Sequence, residues 1–132
     1  MTAGNAEALR ARIADQASPL GYEEAKQLLK SEDMTVREAL ARRLDTPHEV
    51  LYYLASDASP AVRRQVATNP ETPIQAELVL VRDADEDVRY ALAEKVGRMA
   101  GARSADSRPG RLKLFFRLLK ALARDELVRI RA

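Results

Sequence analysis

The chain has 132 residues, 46% of them hydrophobic, which is the length of one domain with enough apolar material for a core of ordinary size. With no cysteine, disulfide frameworks and thiolate metal sites are excluded and a cytoplasmic location is expected; no apolar run approaches the roughly 20 residues of a spanning helix, and Met1 to Arg12 has no signal-peptide core. The net charge of +2 conceals an asymmetry: Met1 to Glu94 holds 11 Lys and Arg against 17 Asp and Glu, and Lys95 to Ala132 holds 11 against 3, so a basic end on an acidic body steers anionic ligands to one end.

Asn5 to Gln16 spaces Ala6, Leu9 and Ile13 as a short first helix. Ser18-Pro19 reads as a cap followed by proline at the first helical position, opening a helix from about Leu20 to Lys30 that buries Tyr22, Ala25, Leu28 and Leu29. Thr35 and Glu38 form a capping box for a helix burying Val36, Leu40 and Leu44. Thr46-Pro47-His48-Glu49 is a second box, opening a helix through Ser56. Ser59-Pro60 starts the next helix, which stops before Asn69-Pro70, and Thr72-Pro73-Ile74-Gln75 starts another. Val88 to Val96 continues the rhythm, with no alternating strand pattern anywhere. Gly97 to Gly110, with three of the five glycines, reads as a flexible loop before an apolar helix over Arg111 to Arg124 that carries Leu112, Phe115, Phe116, Leu119 and Leu122 on one face.

A Val-Arg pair recurs every 26 residues, at Val36-Arg37, Val62-Arg63 and Val88-Arg89. Leu40, Val66 and Leu92 share one column of this register and Ala41, Ala67 and Ala93 the next, where small side chains let helices approach closely. Asp57 and Asp83 stand six residues before Arg63 and Arg89, and Asp125 stands six before Arg131. Stacked two-helix units would let each aspartate reach its own arginine and a neighbour's, a ladder whose value lies in geometry, because exposed pairs stabilise by only about 0 to 1 kcal/mol. The last copy is displaced by 16 residues, and the chain ends one residue past Arg131, so a truncated final helix and a longer parent repeat protein are expected.

These residues resemble the HEAT family, whose repeats carry an Asp-x5-Arg ladder of this spacing. Ala58 to Asp83, with Pro60-Ala61-Val62-Arg63 and Asn69-Pro70-Glu71-Thr72-Pro73, is also similar to the leucine-rich-repeat variant and to HEAT-like repeat proteins of alphaproteobacteria. The resemblance is strong from Met34 to Met99; Ser31 departs from it where the first ladder aspartate would stand, as does Arg98-Met99 where a third Thr-Pro would. It implies an all-α fold without sheet, a short right-handed α-solenoid of about four two-helix repeats in one domain. The regular repeats would cover residues 32–99, the loop 97–110 and the displaced repeat 111–132.

Catalysis has little to work with: His48 is the single histidine and reads as a solvated or capping side chain at a helix start. The acidic run Asp83, Asp85, Glu86 and Asp87 lacks the glycine and terminal glutamate of a calcium loop and suits a helix N-terminus. No catalytic residue, metal or cofactor is expected. Within the fixed frame, Glu38, Arg64 and Tyr90 share one variable register, and Arg42, Thr68 and Glu94 share another four residues later on the same face. In HEAT-like solenoids such helices line the concave side, which implies a groove for a protein or peptide partner. Lys113, Arg117, Lys120 and Arg124 form a cationic stripe, the alternative surface for nucleic acid or an anionic membrane.

Overall fold

The computed structural model describes the backbone of residues 3–102 and the side chains of residues 6–99. The described residues form seven helices and no strand: α1 (Ala3–Ala14), α2 (Tyr22–Leu29), α3 (Met34–Arg42), α4 (His48–Leu54), α5 (Pro60–Thr68), α6 (Ile74–Leu80) and α7 (Glu86–Ala102). None of them is long and apolar enough to cross a membrane. The chain divides into two compact units, Met1–Leu92 and Ala93–Ala132, with α7 running from the first into the second. The basic stripe Lys113, Arg117, Lys120 and Arg124, the pair Asp125 and Arg131, and the final repeat lie outside the described residues.

The first unit is built in two layers because alternate helices bury equivalent stripes. α3 buries Val36, Leu40 and Ala41, and α5 buries Val62, Val66 and Ala67 at the same register. α4 buries Val50, Leu51 and Leu54, and α6 buries Ala76 and Leu80. Accordingly α3 packs on α1 and α5, while α4 packs on α2 and α6, and from α2 to α6 each helix also touches the next across the layers. Each fully buried Leu or Val contributes roughly 1.5 to 3 kcal/mol. The third alanine of the column, Ala93, is exposed.

Several local expectations are corrected by where hydrogen bonds form. α3 is capped by Asp33, whose Oδ1 accepts the Thr35 N–H at 2.9 Å and hydroxyl at 2.6 Å, so Thr35 and Glu38 are not a capping box. Thr46 and Thr72 are buried and donate backwards, to the carbonyls of Leu40 (2.6 Å) and Val66 (2.7 Å), closing the ends of α3 and α5 rather than starting α4 and α6. The helices after them begin one residue past each proline, and α2 begins at Tyr22 rather than near Ser18-Pro19. Tyr22 and Leu44, both expected in the core, are exposed. The helix after Val88 continues through Gly97 to Ala102, so the glycine-rich loop does not begin at Gly97, although a glycine in a helix interior costs about 1 kcal/mol relative to alanine.

Two acids on these turns are held far below the usual carboxylate range, near pKa 2. Asp33 is lowered by the hydroxyl of Thr35 and by Arg10; Asp45 is lowered chiefly by its hydrogen bonds from Arg43. Since unfolding restores a value of about 3.9, the stability these groups contribute is complete above that pH and is lost as pH falls toward 2. Thermal melts from pH 5 to pH 2 should show a falling midpoint, and Asp45→Asn should flatten the slope; an unchanged slope would remove Asp45 from the acid response.

Candidate functional site

The register arginines are committed to the frame. Arg37 donates from Nε and Nη2 to the Asp57 carboxylate at 2.8 and 3.3 Å, and Arg63 does the same to Asp83 at 2.8 and 3.2 Å, both across 20 residues. Each arginine therefore reaches forward to the next aspartate. To the residue six positions behind it, each offers only Nη1, and the acceptor is a backbone carbonyl: Ser31 for Arg37 at 2.8 Å, Asp57 for Arg63 at 2.7 Å, and Asp83 for Arg89. Of the two contacts expected of each aspartate, the one to a neighbour's arginine forms through the carboxylate, while its own arginine, Arg63 for Asp57 and Arg89 for Asp83, reaches only its backbone carbonyl.

This division explains Ser31. A carbonyl is supplied by any residue, so Arg37 keeps its bond. The Ser31 hydroxyl accepts the Asp33 N–H at 3.2 Å, as the Asp57 and Asp83 carboxylates accept Ser59 and Asp85 N–H at 2.9 Å. The only role Ser31 cannot fill is accepting an arginine from 20 residues earlier, and that position is Ala11. Both halves of the first rung are missing together.

A second set of inter-helix contacts was not read from the sequence. Arg43, 2% exposed, donates to the carbonyls of Ile13 (2.9 Å), Asp15 and Ser18 (both 3.0 Å) and to Asp45 at 2.8 Å. Asn69, 26 residues on, uses Nδ2 to bond the carbonyls of Ala41 at 2.8 Å and Arg43 at 2.9 Å. Each long polar side chain closes the carbonyl end of the helix one unit before it. The signal was available as a column of Arg43, Asn69 and Lys95 in the same 26-residue register, all three buried, but their side chains share no single chemistry.

Against this frame the variable face divides. Glu38 and Arg42 pair at 3.3 Å, and Gln65 of α5 bridges them, approaching both at 3.5 Å. Thr68 donates to the Gln65 carbonyl within its own helix at 3.0 Å. Arg64 and Tyr90 differ: both are exposed, Tyr90 at 69%, and neither has a hydrogen-bond or ion-pair partner among the described residues. Glu94 is exposed one turn beyond Tyr90, in the second unit. Gln65, missed in the sequence, is the odd member of a column otherwise occupied by Ala39 and Ala91.

The remaining candidates are placed as local structure. His48 is exposed at the first position of α4. Of the acidic run, Asp83 is paired with Arg63, and Asp85 accepts the N–H groups of Asp87 and Val88 at 2.8 and 3.2 Å at the start of α7. Among the described residues no group of three His, Asp or Glu is arranged to hold a metal ion. Comparison with family models, with curated proteins and with solved structures gives no match.

Proposed function

We propose that the chain is a non-enzymatic protein-interaction module, a short right-handed α-solenoid of HEAT-like repeats that binds a partner peptide or domain in the groove along the exposed, concave-side face of α3, α5 and the start of α7. The observation that carries this reading is the contrast between neighbouring arginines. Arg37 and Arg63 are locked by bidentate pairs, whereas Arg64, one position later, and Tyr90 in the same register are exposed and uncommitted. Glu38, Arg42 and Thr68 flank them as a polar rim. The solenoid part is supported by odd helices packing on odd and even on even, and by contacts that recur at one offset. The pairing of α3 with α5 is more extensive than that of α4 with α6, as curvature toward the Val-Arg helices would produce. A chain without cysteine fits a cytoplasmic setting.

Exposed aromatic and arginine side chains dominate binding energy when a partner covers them, and their truncation costs little in the free protein. Arg64→Ala with Tyr90→Ala should therefore abolish partner capture from a cell extract while thermal and urea unfolding stay within about 1 kcal/mol of the parent. Unchanged capture by the double variant would exclude this face. Binding of duplex DNA that weakens steeply with salt would instead assign function to phosphate neutralisation by the basic stripe.

A further inference from the structure

All four tyrosines lie among the described residues, and none is in the core, which is built from Ile, Leu, Val and Ala. Tyrosine is ordinarily at least partly buried, with its hydroxyl reaching a polar partner. Here Tyr22, Tyr52 and Tyr53 are 44%, 45% and 57% exposed, and they gather on two helices of one layer that pack on each other, α2 and α4. Tyr52 and Tyr53 are in edge contact, with ring centroids 6.1 Å apart and planes at 72°. The Tyr22 hydroxyl donates to Oε2 of Glu49, which stands one helical turn before Tyr52 and Tyr53. That hydrogen bond to the Glu49 carboxylate raises the Tyr22 hydroxyl pKa.

We infer that this α2/α4 face is a second binding surface, whose occupant is a basic peptide docking a lysine or arginine side chain against the tyrosine rings and the Glu49 carboxylate. The chemistry is that of a cation on aromatic faces beside a counter-charge. The structure holds an internal example: Lys26 Nζ lies 5.2 Å from the centroid of the Tyr22 ring. Glu49 uses one oxygen for Tyr22, leaving the other for an incoming donor. On these two helices Glu23 and Glu49 are exposed, as are Lys26 and, at the end of α2, Lys30. Lys26 already lies over the Tyr22 ring, so an incoming cation meets the Tyr52 and Tyr53 rings beside Glu49, on a stretch, Met1 to Glu94, that carries 17 acidic against 11 basic residues. This surface is independent of Arg64 and Tyr90.

The test is titration of the full chain with a labelled arginine-serine peptide of about nine residues, and with its glutamate-serine counterpart, at fixed ionic strength. Tyr52→Ala with Tyr53→Ala should weaken the basic peptide about tenfold without altering net charge, whereas Tyr52→Phe with Tyr53→Phe should retain most of the affinity because the rings remain. Glu49→Gln should weaken binding more than Glu71→Gln, a charge-matched change in an exposed turn. Circular dichroism melts check that each variant folds. Equal binding by the alanine variant, equal effects of Glu49→Gln and Glu71→Gln, or tighter binding of the acidic peptide would overturn the proposal. So would a concentration-dependent dimer abolished by Tyr53→Ala, which would make the occupant a second copy.

Discussion

Arg43→Met should cost about 3 kcal/mol, the loss typical when a buried, multiply bonded charge is removed and its acceptors are left behind. Methionine keeps most of the apolar stem, so packing around the side chain is largely preserved and the effect isolates the guanidinium. What is lost are bonds to three carbonyls, Ile13, Asp15 and Ser18, and the pair with Asp45, which itself also accepts the Leu20 N–H at 2.9 Å. Arg43 thus ties the end of α1, the α1–α2 connection and the end of α3 together. Arg43→Lys should recover less than half of the loss, because one ammonium cannot reach this fan of acceptors in the directions a planar fork does. Urea unfolding measures both; a loss under about 1 kcal/mol for Arg43→Met would show that water replaces these bonds without penalty.

The second large effect belongs to Asp57. Asp57→Ala removes the carboxylate that Arg37 reaches and the acceptor of the Ser59 N–H, leaving a mostly buried guanidinium without its counter-charge, and about 2 to 3 kcal/mol should be lost. Asp57→Asn keeps a single oxygen, which can still accept the Ser59 N–H and Arg37 Nη2, but it places an amide NH2 against Arg37 Nε, so its cost should be smaller than that of alanine, about 1 to 2 kcal/mol. Ser31→Asp, which restores the aspartate column, should change stability by less than about 0.5 kcal/mol, because Ala11 offers it no arginine. Unfolding curves that rank Asn as badly as Ala would show that charge alone matters. A clear gain from Ser31→Asp would show that the rung does not need its arginine.

The sequence carried most of the frame. Helix count and spacing over Tyr22 to Leu80 follow from apolar stripes and from prolines, and the Val-Arg register marked the arginines as structural. The sequence allowed each aspartate both its own arginine and a neighbour's, but how they are divided was not legible: Asp57 gives its carboxylate to Arg37, 20 residues away, and only its carbonyl to Arg63, six residues away. The threonines misled for a related reason. A Thr-Pro before a helix has the form of a cap, and only packing shows that Thr46 and Thr72 turn backwards into buried carbonyls. On the candidate face, register identified Arg64 and Tyr90, but it gave no means of seeing that Glu38 and Arg42 are engaged with each other through Gln65. Tyr52 and Tyr53 carry no sign of their exposure in the sequence, which shows only once smaller aliphatic residues are seen to fill the core.

The claim that the Val-Arg helices present a binding face is tested most directly by placing a photoreactive phenylalanine analogue at Arg64 or at Tyr90, with Glu71 as the exposed control, and irradiating the full chain in cell extract. Light-dependent adducts to one and the same protein from positions 64 and 90, absent from position 71, are the expected result. Adducts that are equal at all three positions, or that form only from position 71, would contradict the account.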